Sequence, residues 1–191
     1  MSIKLEGHWH KGLAYDLHTV TSVHLGADES GHDRYDNQRS EMGELVYRLK
    51  YKADKSALEP ILALLSGIEG IETFDVLLPV PATNKNRPFQ PVELITQALG
   101  AQRQVRVLGD ALLNNGDLQT KSISDPVERL DRLKAAFQLS GRHDLTGMRV
   151  LLVDDLYRSG TTLNVLTDLL YNVAHVKLVS VLTMTKTRSN R

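Results

Sequence analysis

The chain of 191 residues contains no cysteine. That absence excludes disulfides, thiolate metal sites and cysteine nucleophiles together. An excess of charge is missing too: 23 Lys and Arg balance 23 Asp and Glu, so the formal net charge is zero. Global electrostatics therefore nominate neither nucleic acid nor an anionic membrane as partner, and any anion site has to be built locally. No stretch approaches the ~18 consecutive apolar residues of a membrane helix. Residues 1–9 lack the apolar core of a signal peptide, so the expected location is cytoplasmic. The GxxxxGK core of a Walker loop is absent, and no GxGxxG follows a strand-like run. What is present is the ordinary mixture of a globular protein, 41% hydrophobic and 24% charged. At this length it suffices for one domain with a sizeable core.

Two regions of different character are expected, 1–43 and 44–191. The first is polar and holds five of the seven histidines (His8, His10, His18, His24 and His32). No HExxH or H-x-x-x-H helix spacing joins them, so they read as ordinary histidines rather than a metal set. Leu13, Tyr15 and Leu17 alternate with polar residues, which predicts a strand, whereas charged, turn-rich 26–39 predicts a long loop. The second region alternates helical and strand patterns. Two helical pieces are expected within 44–65, broken near 51–56. Strands are expected at 74–80, 105–108, 150–153 and 177–184, and helices at 92–99, 127–137 and 162–173. Polar residues 114–125 predict a mobile loop. This alternation implies an α/β fold with a mostly parallel central sheet flanked by helices.

The segment with most chemistry is 150–164, VLLVDDLYRSGTTLN. An apolar run meets two adjacent carboxylates, Asp154 and Asp155, followed by the hydroxyl-rich turn Ser159, Gly160, Thr161 and Thr162 and a helical pattern. Acidic residues at a strand end can hold Mg²⁺, accept from sugar hydroxyls, or be solvated with no special role. The turn shifts the balance towards a ligand, because hydroxyls and successive N–H groups at a helix start suit phosphate. In open α/β sheets, ligands bind outside the carboxyl ends of the strands.

This segment resembles the phosphoribosyl pyrophosphate (PRPP) motif of the type I phosphoribosyltransferases. The resemblance implies that fold, with a small N-terminal hood formed by 1–43. It implies that Asp154 and Asp155 bind the ribose hydroxyls and that Arg158, Ser159, Gly160, Thr161 and Thr162 cradle the 5-phosphate. Two positions depart from the motif: Tyr157 stands where a small aliphatic residue is usual, and Arg158 where a small hydroxyl or Ala is usual. Both are expected to reshape the pocket, with Arg158 adding a phosphate contact.

Further segments resemble the ComF-like branch: Tyr47 to Asp54 (YRLKYKAD), Leu78-Pro79-Val80-Pro81, Arg87-Pro88-Phe89-Gln90, and Glu128-Arg129 followed by Ala136-Phe137. The cysteine-based zinc module of that branch is absent. The resemblance implies that Val80, Pro81, Ala82 and Thr83, with Lys85 and Arg87, receive the pyrophosphate. Lys121 would act from a mobile catalytic flap. Mg²⁺ would arrive with PRPP rather than on direct protein ligands. The implied activity is transfer of the 5-phosphoribosyl group to a nitrogen nucleophile with release of pyrophosphate. The alternative is a PRPP-sensing or DNA-uptake accessory protein without turnover. An acidic Mg²⁺ site serving phosphotransfer at Asp155 is a third reading. The implied partners are PRPP and a small nitrogen acceptor, with a homodimer as the common assembly of the fold; nucleic acid finds no support in the charge. Lys50 and Lys52 read as an exposed basic helix edge, with the pyrophosphate site as the alternative. Arg129 and Arg132 share a helix face.

Overall fold

The computed structural model describes residues 2–27, 31, 33–116 and 126–188. In chain order the strands are β1 (Ile3–Leu5), β2 (Lys11–Leu17), β3 (Thr19–Ala27), β4 (Asp33–Arg39), β5 (Val76–Pro79), β6 (Leu112–Asn114), β7 (Phe137–Leu139), β8 (Arg149–Tyr157) and β9 (Leu178–Lys186). The helices are α1 (Glu41–Tyr51), α2 (Leu58–Leu65), α3 (Pro91–Arg103), α4 (Pro126–Ala136) and α5 (Thr161–Asn172). No described helix is long and apolar enough to cross a membrane.

The central sheet has the order β1-β2-β9-β8-β5, parallel throughout except for β1, which runs antiparallel to β2. The fold is thus α/β with a mostly parallel sheet. Both faces are covered, which is why β5 and residues 150–153 of β8 are continuously apolar and β9 is buried along most of its length. One face packs Val76, Leu78, Val150, Leu152 and Val181 against Leu163, Leu166 and Leu170 of α5. The other packs Leu77, Leu151, Val153, Leu182 and Met184 against Leu45 and Leu49 of α1, Ile61 of α2, and Ile95 and Leu99 of α3. Each such buried side chain contributes roughly 1.5–3 kcal/mol, so the two layers fix the sheet beneath the site.

Helix starts and stops follow local chemistry. Ser40 caps α1: its hydroxyl accepts from Gly43 N at 3.0 Å and donates to Leu17 O at 2.5 Å. One side chain thereby ties the helix start to the end of β2. Glu41 and Glu44 in the first turn and Arg48 and Lys50 in the last turn match the helix dipole. The break between α1 and α2 is held by Arg48, which donates to Asp54 through Nε at 2.9 Å and Nη2 at 2.7 Å. The Ser56 hydroxyl, and then Arg48, hold the Asp54 carboxyl down at about 2.

Three expectations are corrected. Residues 33–39, expected within a loop, form β4, which pairs with β3 as a separate two-stranded ribbon. The ribbon does not lie against the core, and Val20, Val23 and Leu25 are exposed, so no buried face imprints an alternation on its sequence. Residues 105–108 supply only an isolated parallel bridge, Val107 to Leu77, at the free edge of β5. Gly109 and Asp110 turn the chain away directly afterwards. Finally, β8 does not stop at Val153. Its last partner on β5 is Pro79, opposite Val153, and it continues to Tyr157 paired with β9 alone. Pro81 has no N–H to extend β5, so β8 runs on past its shortened neighbour. That difference in length opens a crevice at the carboxyl end of the sheet.

Candidate functional site

A cavity of 380 Å³ fills this crevice. The turn after β5 lines it with Val80, Pro81, Ala82 and Thr83, and the following loop adds Lys85 and Arg87. Opposite stand Asp154 and Asp155 of β8, Thr162 of α5 and Lys50 of α1. Two groups of residues more than 60 positions apart in the sequence, both read as ligand-binding, thus share one hollow.

The two carboxylates are not equivalent. Successive residues of a strand point to opposite faces. Asp155 takes the face covered by α1, where its Oδ2 meets Lys50 Nζ at 2.5 Å. Both side chains are largely buried, 19% exposed for Lys50 and 9% for Asp155. Asp154 is half-buried on the α5 side, and its Oδ1 accepts from the Asp155 N–H at 2.8 Å. Burial, and then the negative charge of Asp155, push the Asp154 carboxyl well above the usual carboxylate range. Lys50 opposes that rise without cancelling it. Asp154 is therefore the member that gains most from hydroxyl donors or a cation arriving in the crevice.

Downstream, the turn enters α5 through Gly160, whose φ of 77° is left-handed. A Cβ there would lie 2.9 Å from both Cε2 and Oη of Tyr157, so the position needs glycine for both conformation and space. The Ser159 and Thr161 hydroxyls lie 2.9 Å apart across the turn. Thr162 alone of this loop lines the crevice; the Arg158 side chain lines a separate hollow beside the β3–β4 ribbon.

Tyr157 was expected to reshape the pocket, and the structure corrects this. Its ring is 6% exposed and packs edge-on against Trp9, with centroids 6.4 Å apart. It is a core residue that supports the turn from beneath. Lys50, read from sequence as an exposed helix edge, is instead the buried partner of Asp155. Arg132 makes an exposed i, i+4 pair with Glu128 at 2.8 Å. The expected flap at 114–125 lies largely outside the described residues, and Lys121 with it.

Two further residues of the crevice were given no role by the sequence. Asn114, 8% exposed, ends β6; its Nδ2 donates to Ala82 O at 3.4 Å and its Oδ1 accepts from Gly116 N at 3.0 Å. It joins the base of the expected flap to the turn after β5. Gln90 donates through Nε2 to Asn84 O at 3.2 Å, whereas its buried Oε1 has no partner among the described residues. Histidines scattered through the N-terminal region find separate partners: His8 pairs with Asp168 at 2.8 Å and His24 with Asp33 at 2.9 Å.

A family model described as a phosphoribosyl transferase domain matches residues 100–190, just under half of the chain and inclusive of β8, the turn and α5. No curated protein sequence matches the chain. Among solved structures, adenine phosphoribosyltransferase from Thermoanaerobacter pseudethanolicus is 15% identical, with 88% of this chain and 84% of that one covered at a TM-score of 0.46. The adenine enzyme of Saccharomyces cerevisiae is 10% identical over 86% and 83%, TM-score 0.43. Hypoxanthine phosphoribosyltransferase of Trypanosoma cruzi is 16% identical over 98% and 74%, TM-score 0.42. At such scores these likenesses do not define the fold, which rests on the strand order and register above.

Proposed function

We propose that the chain is a type I phosphoribosyltransferase that transfers the 5-phosphoribosyl group of PRPP to a nitrogen nucleophile and releases pyrophosphate. The observation that carries this reading is the single crevice uniting Asp154, Asp155 and Thr162 with residues 80–83, Lys85 and Arg87. The match of residues 100–190 to the phosphoribosyl transferase domain supports it. PRPP has a phosphate at one end, two hydroxyls in the middle and a pyrophosphate at the other end. Asp154 and Asp155 accept from the hydroxyls, and the 159–162 turn holds the 5-phosphate at the start of α5. The 80–83 turn, with Lys85 and Arg87, receives the pyrophosphate. The YRLKYKAD segment, which supplies both the Arg48 latch and Lys50, supports the ComF-like branch within the family.

The donor set fits Mg²⁺ carried on the substrate. Asp154 offers a hard oxygen whose proton affinity is raised, while Asp155 is already engaged by Lys50. When bound, the ion offsets charge on the departing pyrophosphate. The rest falls to the chain itself. Lys85 and Arg87 concentrate positive charge at the leaving-group end, and the two aspartates, one of them held by Lys50, fix the ribose so that C1 faces the incoming nitrogen. Lys121 is assigned as a further cation for the pyrophosphate.

Of the region 1–43, β1 and β2 belong to the central sheet, which leaves the β3–β4 ribbon as the acceptor hood. Calorimetric titration with PRPP and MgCl₂, beside ribose 5-phosphate alone, tests the reading. PRPP is expected to bind more tightly, and pyrophosphate to appear when a nitrogen acceptor is added. Failure of both ligands to bind refutes the proposal.

A further inference from the structure

A second cavity of 420 Å³ opens between the β3–β4 ribbon and the ends of β8 and β9. Thr19, Ser22 and Asn37 line it from the ribbon, Arg158 and Arg188 from the strand ends, and His18 at the junction. Among the described residues that line it there is no carboxylate. Arg158 and Arg188 are exposed, and neither takes part in an ion pair with another described residue. Lys186 adds positive charge nearby, its Nζ 5.7 Å from the Tyr157 ring centroid.

His18, which lines this cavity, is linked through Thr185 to the strand that carries the acidic pair. Its Nδ1 lies 3.2 Å from Thr185 Oγ1, and that hydroxyl donates to the backbone oxygen of Asp155 at 3.1 Å. Burial, and then Arg39, hold its imidazole below the ordinary histidine range, with Asp155 acting in the opposite direction. His18 and Thr185 thus link the cavity to the backbone of the proposed ribose site at Asp155. The cavity combines two guanidinium groups, paired with no described carboxylate, with the neutral donors and acceptors of Thr19, Ser22 and Asn37.

We propose that this cavity receives the acceptor, and that the acceptor is an anion: a nitrogen heterocycle or amine bearing a carboxylate held by Arg158 and Arg188. The inference rests on the phosphoribosyl-transfer reading and adds the substrate class. A neutral base gains only single, weaker hydrogen bonds from two guanidinium groups, whereas a carboxylate forms charge-assisted and often bidentate bonds with them. Arg158 then serves the acceptor rather than the 5-phosphate, in keeping with the hollow its side chain lines.

The test uses probe pairs that differ in the carboxylate, nicotinate with nicotinamide and orotate with uracil. Each is titrated into the full chain with the first crevice filled by ribose 5-phosphate, pyrophosphate and MgCl₂. At least one carboxylate probe is expected to bind about tenfold or more tightly than its neutral partner, and Arg188→Gln to abolish that preference. PRPP affinity of Arg188→Gln is expected to stay within about twofold of the parent, since a charge outside the first crevice adds little through solvent. Equal binding within both pairs, binding by no probe, or a preference that survives both Arg188→Gln and Arg158→Gln overturns the proposal. PRPP titrated into the unliganded protein separates the two readings. Binding of PRPP without a carboxylate preference defeats only the anionic acceptor, whereas no PRPP binding defeats the transferase reading and this inference with it.

Discussion

At the residue scale, the acidic pair joins one satisfied carboxylate to one strained carboxylate. Asp155 is neutralised by Lys50, whereas Asp154 carries a raised pKa from burial and from Asp155. The sign of the resulting pH dependence follows. The folded-state pKa of Asp154 lies above its unfolded value, so between the two the folded protein retains a proton that the unfolded chain has lost. Stability therefore falls as pH rises from the ordinary carboxylate value of 3.8 through that window, then levels off. Asp154→Asn keeps an oxygen for the Asp155 N–H and removes the titration. Thermal melts from pH 4 to pH 9 are expected to show a flatter profile for the variant and, at alkaline pH, a Tm higher by about 2–4 °C per kcal/mol relieved. Affinity for PRPP should drop in the same variant, as befits a site that trades stability for function. A profile as steep as the parent's would show that Asp154 is not strained. Lys50→Met tests the other half. Met fills a similar volume but leaves Asp155 buried and unpaired, a loss of about 3 kcal/mol in urea unfolding. Adding Asp155→Asn should recover most of that loss. A single-variant cost under about 1 kcal/mol would mark the pair as no stronger than a surface contact.

At the element scale, the turn between β8 and α5 is shaped from below by Trp9 and Tyr157 and from within by Gly160. Gly160→Ala meets both a left-handed φ and the Tyr157 ring, so it is expected to cost about 1–2 kcal/mol for conformation alone, plus the clash. Ribose 5-phosphate binding should be lost, because the turn cannot keep its form. Gly147→Ala is the matched control: its φ is 72°, but nothing lies within 4 Å of the added Cβ. It should pay a similar conformational cost in chemical denaturation and bind ribose 5-phosphate normally. Equal binding losses in the two variants would separate phosphate affinity from the form of this turn. The same elements show what the sequence made readable. β5, β8 and β9 are plain because both sheet faces are buried, and the α1–α2 break is plain because its helices keep apolar spacing on either side. Tyr157 was misread because its partner Trp9 is remote in sequence. Lys50 was misread because a basic helix edge does not reveal which strand residue lies beneath it. Gln90, though inside a family-like segment, and Asn114 could be given no role, since their roles depend on where the turn after β5 comes to rest.

At the scale of the whole molecule, the N-terminal region divides between two jobs. β1 and β2 extend the central sheet, with six residues of β2 in register with β9. The β3–β4 ribbon leaves that sheet and returns to it at almost the same point: Ser40 Oγ reaches Leu17 O at 2.5 Å, and Ser40 N reaches His18 O at 3.3 Å. Among the described residues, Arg39 ties the ribbon to α1: it stacks 3.7 Å over Tyr47 and pairs with Glu44 at 3.2 Å. Because its two ends meet, it can be excised without breaking the sheet, and because its apolar residues are exposed, excision uncovers little core. Replacing residues 20–38 with a short Gly-Ser linker is therefore expected to leave cooperative unfolding in place, with a stability change of about 1 kcal/mol or less, the size of a surface substitution series rather than a core loss. The crevice keeps every residue assigned to PRPP, so PRPP affinity should change by less than about threefold. The second cavity loses Ser22 and Asn37 and stands open to water, so its arginines hold an anionic probe only through screened charge. Calorimetry on the excised chain should then show PRPP binding intact and binding of the preferred carboxylate probe reduced by at least about tenfold. Loss of PRPP binding together with folding would instead make the ribbon a structural brace of the sheet, and would move acceptor recognition to the strand ends alone.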